Sequence, residues 1–82
     1  MDIEYRAKRS NALLENEWFQ ETMKDLRETQ MRTFANSSAQ EMEKREDAHA
    51  ILRALTEIER SLQADVDALA LIKRKGKHRG ND

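Results

Sequence analysis

The longest pattern in this sequence is an apolar stripe in its second half. From Ala48 onward, apolar residues recur every three or four positions, which is the spacing of one face of an α-helix. Ser38 and Glu41 precede the stripe at the spacing of a capping box, in which each side chain bonds the other residue's backbone amide. No Pro or Gly follows before Gly76, so the pattern predicts one helix over about 38–74. The stripe consists of Met42, Ala48, Ile51, Leu55, Ile58, Leu62, Val66, Leu69 and Ile72.

The first half of the chain carries two shorter apolar sets with a break between them. The first set ends at Leu14 and the second resumes inward at Phe19, a step of five residues. Such a step indicates either a stutter in one continuous helix or a kink between two helices. Asn16 favours the break, because asparagine caps helix starts well. We therefore expect helices over about 3–15 and 17–35.

Residues 36–38 (Asn-Ser-Ser) form the clearest loop signal in the interior of the sequence. Short connections usually join antiparallel helices, and the two N-terminal helices together are nearly as long as the third. The sequence thus predicts an all-α fold: an antiparallel helical hairpin with a kinked N-terminal arm and coiled-coil-like packing. Residues 1–75 would form the hairpin and residues 76–82 a flexible basic tail.

Two packed helices make a seam rather than a closed core, so some apolar side chains should stay uncovered. A chain of 82 residues is small enough that a monomeric core would be marginal. We expect a homo-oligomer or docking onto a larger protein assembly. The residues at or beyond the edge of the stripes, and hence the predicted protein interface, are Tyr5, Leu13, Trp18, Leu52 and Leu71.

The composition narrows the protein class further. The chain has no cysteine, which excludes a disulfide scaffold, a thiolate metal site and a cysteine nucleophile. No apolar run resembles a signal peptide or reaches membrane-spanning length, so we expect no membrane partner and a cytoplasmic location. The two glycines both lie near the C-terminal end, so a Gly-rich phosphate loop is absent from the sequence.

Charge is unevenly distributed although the net charge is only −1. Residues 36–72 carry eight acidic and four basic side chains, whereas residues 73–82 carry five basic and one acidic. The basic cluster could contact nucleic-acid phosphates without reading sequence. Alternatively, it complements a helix dipole, with Gly76 as the helix stop, or binds the acidic segment of a neighbouring subunit. The five cations are Lys73, Arg74, Lys75, Lys77 and Arg79.

Candidate catalytic chemistry is sparse. Glu46 and His49 have the Glu-x-x-His spacing of carboxylate-bridged di-iron bundles, but that site needs two such motifs and two further glutamates. The other histidine, His78, lies in the tail. We therefore favour a surface glutamate with a partly buried histidine, and we predict no metal, no cofactor and no small-molecule substrate. Because no nucleophile–base arrangement stands out, we expect no enzyme activity.

One resemblance to known proteins rests on two short patterns. The first is Arg6-Ala7…Asn11-Ala12-Leu13-Leu14-x-Asn16-x-x-Phe19, and the second is Arg45-Glu46-Asp47…Leu52…Leu55…Leu62. Together they resemble small helical proteins encoded by tailed bacteriophages and prophages among genes for virion structure and DNA packaging. The resemblance covers roughly residues 6–70. It implies a structural or assembly role in a virion, bound to the capsid, portal or tail. The basic tail favours an alternative, a small nucleic-acid-associated accessory protein in packaging or regulation.

Overall fold

The chain folds as an antiparallel helical hairpin whose first arm is broken in two. The structure, a computed structural model, describes the backbone of residues 2–79 and the side chains of residues 2–76. Helix α1 spans Ile3–Glu15, α2 spans Glu17–Asn36 and α3 spans Met42–Arg79. Both α1 and α2 pack along α3, and the Cα trace measures 63 × 24 × 21 Å. The predicted all-α hairpin with a kinked arm is confirmed.

Asn16 makes the break between α1 and α2. Its backbone is extended (φ −69°, ψ 121°), and its side chain accepts a hydrogen bond of 2.8 Å from the amide of Phe19. The Gln20 side chain donates to the Leu14 carbonyl at 2.7 Å, which satisfies one of the carbonyls left open at the end of α1. The arm therefore consists of two helices with a kink at Asn16, and it is not one continuous helix with a stutter.

The turn between the two arms is longer than the capping-box pattern predicted. The Glu41 carboxylate accepts from the Ser38 amide at 3.0 Å, which is one half of the box. The Glu41 amide, however, donates to the Ser38 carbonyl at 3.0 Å, so residues 38–41 close a turn rather than the first turn of a helix. Consequently α3 begins at Met42, four residues after the predicted position 38.

The C-terminal end of α3 also differs from the prediction. The helix runs through Gly76 to Arg79, five residues beyond the predicted end at 74. Gly76 was expected to stop the helix, but a glycine does so by adopting positive φ, and Gly76 does not adopt it. Residues 76–79 of the predicted tail therefore have helical backbone, while 80–82 lie outside the described residues. The flexibility of that tail stays a prediction.

The core lies along the seam between the arm and α3, and half of its buried apolar side chains are alanines. Among the described residues, the buried apolar side chains are Ala7, Met23, Ala48 and Leu55, with Ala48 at 0% exposure. The small residues allow the helix backbones to approach closely where α3 meets the arm. This gives a thin core, because each helix of the arm covers only one strip of α3.

The apolar stripe of α3 is only partly buried, and part of it stays uncovered. Ala48 and Leu55 are buried, and Leu62, Val66 and Leu69 are half-buried. The other members are more than two-fifths exposed, because the stripe is wider than the strip that one helix covers. These exposed members are Met42, Ile51, Ile58 and Ile72.

Candidate functional site

The hairpin exposes a large surface for its mass, and many large apolar side chains lie on it. A monomeric protein of 9.6 kDa is expected to expose about 5,100 Å², whereas this chain exposes 6844 Å², an excess of about 1,700 Å². Contiguous apolar patches on a protein surface usually mark interaction sites. The exposed large apolar residues are Ile3, Tyr5, Leu13, Trp18, Leu26, Met31, Phe34, Met42, Ile51, Ile58, Leu71 and Ile72.

Three of these residues form a line along α3, which we call the uncovered column: Ile51, Ile58 and Ile72. They fall on a seven-residue spacing in which Asp65 holds the third of four positions, and residues seven apart share one face of a helix. Ile51 is 41% exposed, Ile58 45% and Ile72 48%. The uncovered column flanks the buried line through Ala48 and Leu55, so it is the open edge of the α3 stripe.

Helix α2 adds Leu26 to the same side of the seam. The ion pair between Arg27 and Glu59 closes the opposite side. Leu26 lies one residue before Arg27, and Ile58 lies one residue before Glu59. One residue corresponds to about 100° around a helix, so Leu26 and Ile58 lie on the flank of their helices away from the ion pair. In an antiparallel pair of helices these flanks coincide, so Leu26 and the uncovered column line one apolar side of the hairpin.

The residues predicted as a protein interface are distributed over all three helices. Trp18 is the most exposed, at 74%, and Tyr5, Leu13 and Leu71 are also exposed. Leu52 is half-buried and sits closer to the core than predicted. Leu13 lines a shallow surface groove with Leu62 of α3, on the same side as Asp65. Whether these residues contact a partner stays a prediction.

A polar cluster that sequence reasoning missed joins α1 to α3. The Ser10 hydroxyl donates to Asp65 Oδ2 at 2.7 Å, and an Arg6 guanidinium nitrogen lies 3.2 Å from Asp65 Oδ1. Ser10 is buried, at 6% exposure, so its hydroxyl depends on this acceptor. The sequence contained no signal that Asp65, 55 residues away, would lie opposite Ser10.

The turn before α3 holds the one strongly shifted acidic group among the described residues. Lys44 donates to Glu41 at 2.9 Å, and this bond, followed by the bond from the Ser38 amide, lowers the pKa of Glu41 from 4.5 to about 2. The Glu41 carboxylate also raises the pKa of Lys44. Glu41 is solvated, so the interaction is screened and its effect on stability is modest.

We expect the Glu41 interaction to contribute stability above pH 4.5 and to be lost as the pH falls toward 2, because protonation removes the charge that the folded turn stabilises. Glu41→Gln should lower the thermal unfolding midpoint at neutral pH and flatten its decline between these pH values. Thermal melts across a pH series measure both effects. Glu43→Gln is the matched control, since Glu43 is exposed and forms no ion pair with a described residue. Equal pH profiles for the two variants would contradict the assignment.

The basic end of α3, which we define as Lys73, Arg74 and Lys75, presents three exposed side chains on helical backbone. Three consecutive residues are about 100° apart, so the cations spread around the helix rather than along one face. Among the described residues, none of the three forms an ion pair. Lys77 and Arg79 have helical backbone, but their side chains lie outside the described residues. Contact of these cations with nucleic acid stays a prediction.

The candidate metal pair is not assembled into a site in the described part of the chain. Glu46 and His49 are both exposed, so the histidine is less buried than the sequence analysis predicted. Over the described residues, no group of three or more potential His, Cys, Asp or Glu ligands comes together. The helices described here also include none that is both long and apolar enough to cross a membrane.

Comparisons with protein families, with characterised proteins and with solved structures find no match to this chain. What the hairpin does is therefore inferred from its own surfaces. One of these is the apolar side formed by Leu26 and the uncovered column. Another is the basic end of α3.

Proposed function

We propose that this chain is a non-enzymatic structural or interaction protein, which packs through the apolar side of its hairpin against copies of itself or a larger assembly. The supporting observation is that Leu26 and the uncovered column are each more than two-fifths exposed, on an elongated chain whose total exposed surface is about 1,700 Å² above that of a globular monomer of the same mass. A standard protein–protein interface takes about 800 Å² from each partner. The excess is therefore large enough for a stable interface.

The proposed setting is a phage particle or its assembly, as the sequence resemblance implies. A rod about 63 Å long and little more than 20 Å wide suits a component that lies along or between larger subunits. Its side chains offer contact area and charge rather than a chemical centre. We propose a capsid, portal or tail assembly as the larger partner where the hairpin does not act with its own copies alone.

The test is the size at which the protein sediments in extracts of its native source. We expect the wild-type chain to run with a species much larger than 9.6 kDa. The double variant Leu26→Gln/Ile58→Gln should shift toward the monomer, because both side chains are more than two-fifths exposed and contribute more to association than to the core. Far-UV circular dichroism of the purified variant checks that it remains helical. Ala50→Gln, at an exposed position on α3 away from the apolar side, is the control. A wild-type chain that sediments as a monomer at its native concentration would overturn the proposal.

A further inference from the structure

We infer that the basic end of α3 is a docking site for double-stranded DNA, which it binds through the phosphates of both strands without reading the base sequence. The site begins where the uncovered column ends, and its cations are Lys73, Arg74 and Lys75. It does not use the apolar side of the hairpin, so it is independent of the proposed assembly. The argument depends on the position of this helix end, on its lack of acidic partners and on the distribution of its cations.

Helix α3 extends beyond the arm that packs on it. Asp65 of α3 accepts from Ser10 of α1 at 2.7 Å, which sets the register of the two antiparallel helices. Counting seven residues outward from this contact reaches the first residue of α1 and Ile72 of α3. Residues 73–79 therefore project past α1 over about 10 Å. A Cβ atom added to Gly76 would have no neighbour within 4 Å beyond the adjacent backbone of α3, so no described residue packs on the helix there.

The helix itself supplies no negative charge to the basic end. On a helix, an acidic side chain that pairs with a cation stands three or four residues away. The residues at these distances before the basic end, 69–72, are all apolar, and the helix has no acidic residue after Asp67. Elsewhere on α3, by contrast, Arg60 pairs with Glu57, three residues earlier. The cations of the basic end are thus left uncompensated by their own helix.

The nearest acidic side chains of the arm are bound to groups of α1. Asp2 and Glu4 lie at the start of α1, beside the point where α3 projects. Asp2 Oδ1 accepts from the Glu4 amide at 3.0 Å, and Glu4 Oε1 lies 3.4 Å from Lys8 Nζ. Within the part of the chain that the structure describes, neither carboxylate pairs with the basic end. A counter-charge for these cations must come from another molecule.

The dipole of α3 does not account for the basic end either. The effect of a helix dipole on charged side chains falls off within the last turn. Because α3 runs to Arg79, the three cations of the basic end precede that turn. Lys77 and Arg79 belong to the last turn by their position in the sequence. The basic end is therefore available to an external anion.

The distribution of the three cations favours duplex DNA over a flat anionic surface. Since consecutive residues are about 100° apart on a helix, the cations lie on different sides of α3. An acidic protein surface or a membrane would meet only some of them at once. The major groove of DNA is about 12 Å wide and admits an α-helix, with the phosphates of one strand on each side. Cations on different sides of one helix can then reach both strands.

Neutralising the basic end tests the site, with fluorescence anisotropy of a labelled random-sequence DNA duplex over a salt series as the measurement. We expect binding to weaken by about tenfold or more at low salt. The dependence of the logarithm of affinity on the logarithm of salt should become shallower by roughly two to three, because each phosphate contact contributes about 0.9 to this slope. Glutamine keeps helix propensity high, and far-UV circular dichroism checks that the variant stays helical. The variant is Lys73→Gln/Arg74→Gln/Lys75→Gln.

The matched control removes the same charge from other exposed positions of the hairpin. These three cations are exposed, and none forms an ion pair with a described residue. The control should keep the affinity and the salt slope of the wild-type chain. Equal losses in the two triple variants would mean that binding follows net charge rather than the basic end, which overturns the inference. The control variant is Lys24→Gln/Arg32→Gln/Arg53→Gln.

Duplex RNA and an acidic polypeptide test the identity of the partner. The major groove of duplex RNA is deep and narrow, so RNA of the same length should bind about tenfold more weakly than DNA. Equal affinities for the two duplexes would overturn docking in the groove. If neutralising the basic end abolishes binding to polyglutamate but leaves DNA binding unchanged, the partner is an acidic protein and the inference is wrong. A wild-type chain that fails to bind duplex DNA at low salt also overturns it.

Discussion

Replacing Leu55 with alanine is expected to lower the free energy of unfolding by about 2–5 kcal/mol. Leu55 is 5% exposed and is one of only four buried apolar side chains in the described residues. A chain of 82 residues has a total stability on the order of 4–12 kcal/mol, so this one change removes a large share of it. The loss combines the transfer energy of the removed methyl groups with a cavity that a thin core cannot close. Urea unfolding of dilute protein, followed by far-UV circular dichroism, measures it.

Leu71→Ala is the matched control for this prediction. It is the same substitution on the same helix, but Leu71 is 48% exposed. Surface changes of this kind usually stay within about 0.5 kcal/mol. Similar losses for the two variants would mean that Leu55 is no more important to the core than an exposed leucine, which would refute the packing of α3 described above.

Asp65→Ala should cost about 1.5–3 kcal/mol, the usual range for hydrogen bonds to a charged group. The cost arises chiefly at Ser10, whose buried hydroxyl loses the acceptor 2.7 Å away. Arg6 contributes less, because its side chain is 52% exposed and its ion pair is screened by water. Equilibrium unfolding of the single variants Ser10→Ala and Asp65→Ala and of the double variant measures the coupling between the two side chains.

In this double-mutant cycle, Ser10→Ala should lower the free energy of unfolding by less when Asp65 is already alanine. Asp67→Ala is the control for helix propensity, since Asp67 is an exposed aspartate two residues further along α3 and accepts only from the exposed Gln63 side chain at 3.0 Å. It should leave stability nearly unchanged. Additive effects of the Ser10 and Asp65 changes would show that the two side chains do not interact.

The helices were predictable because their signals are local. Asn16 is a helix-capping residue placed where the apolar period breaks, and both facts can be read within a few residues of sequence. The same local signals were weaker at the ends of α3. The Ser38–Glu41 spacing fits a capping box, but it fits equally a turn that uses the same glutamate. Gly76 permits a helix stop without requiring one, and here the helix continues.

The candidate site was only partly predictable. The sequence indicated that apolar surface would remain uncovered and that cations would gather near the end of α3. It did not indicate that Ile51 and Ile58 would form the open edge, because that depends on the angle at which the arm meets α3. The bond between Ser10 and Asp65 was equally hidden, since it joins residues 55 apart whose register is set by the turn.

Local periodicity and capping were thus sufficient to establish three helices, the kink at Asn16 and an antiparallel hairpin, since each depends on near neighbours in the chain. Tertiary packing was needed to divide the α3 stripe into a buried line through Ala48 and Leu55 and an uncovered column through Ile58. The physical reason is one of width. The stripe spans more of the helix surface than a single arm covers, and the contacts between arms determine which edge stays exposed.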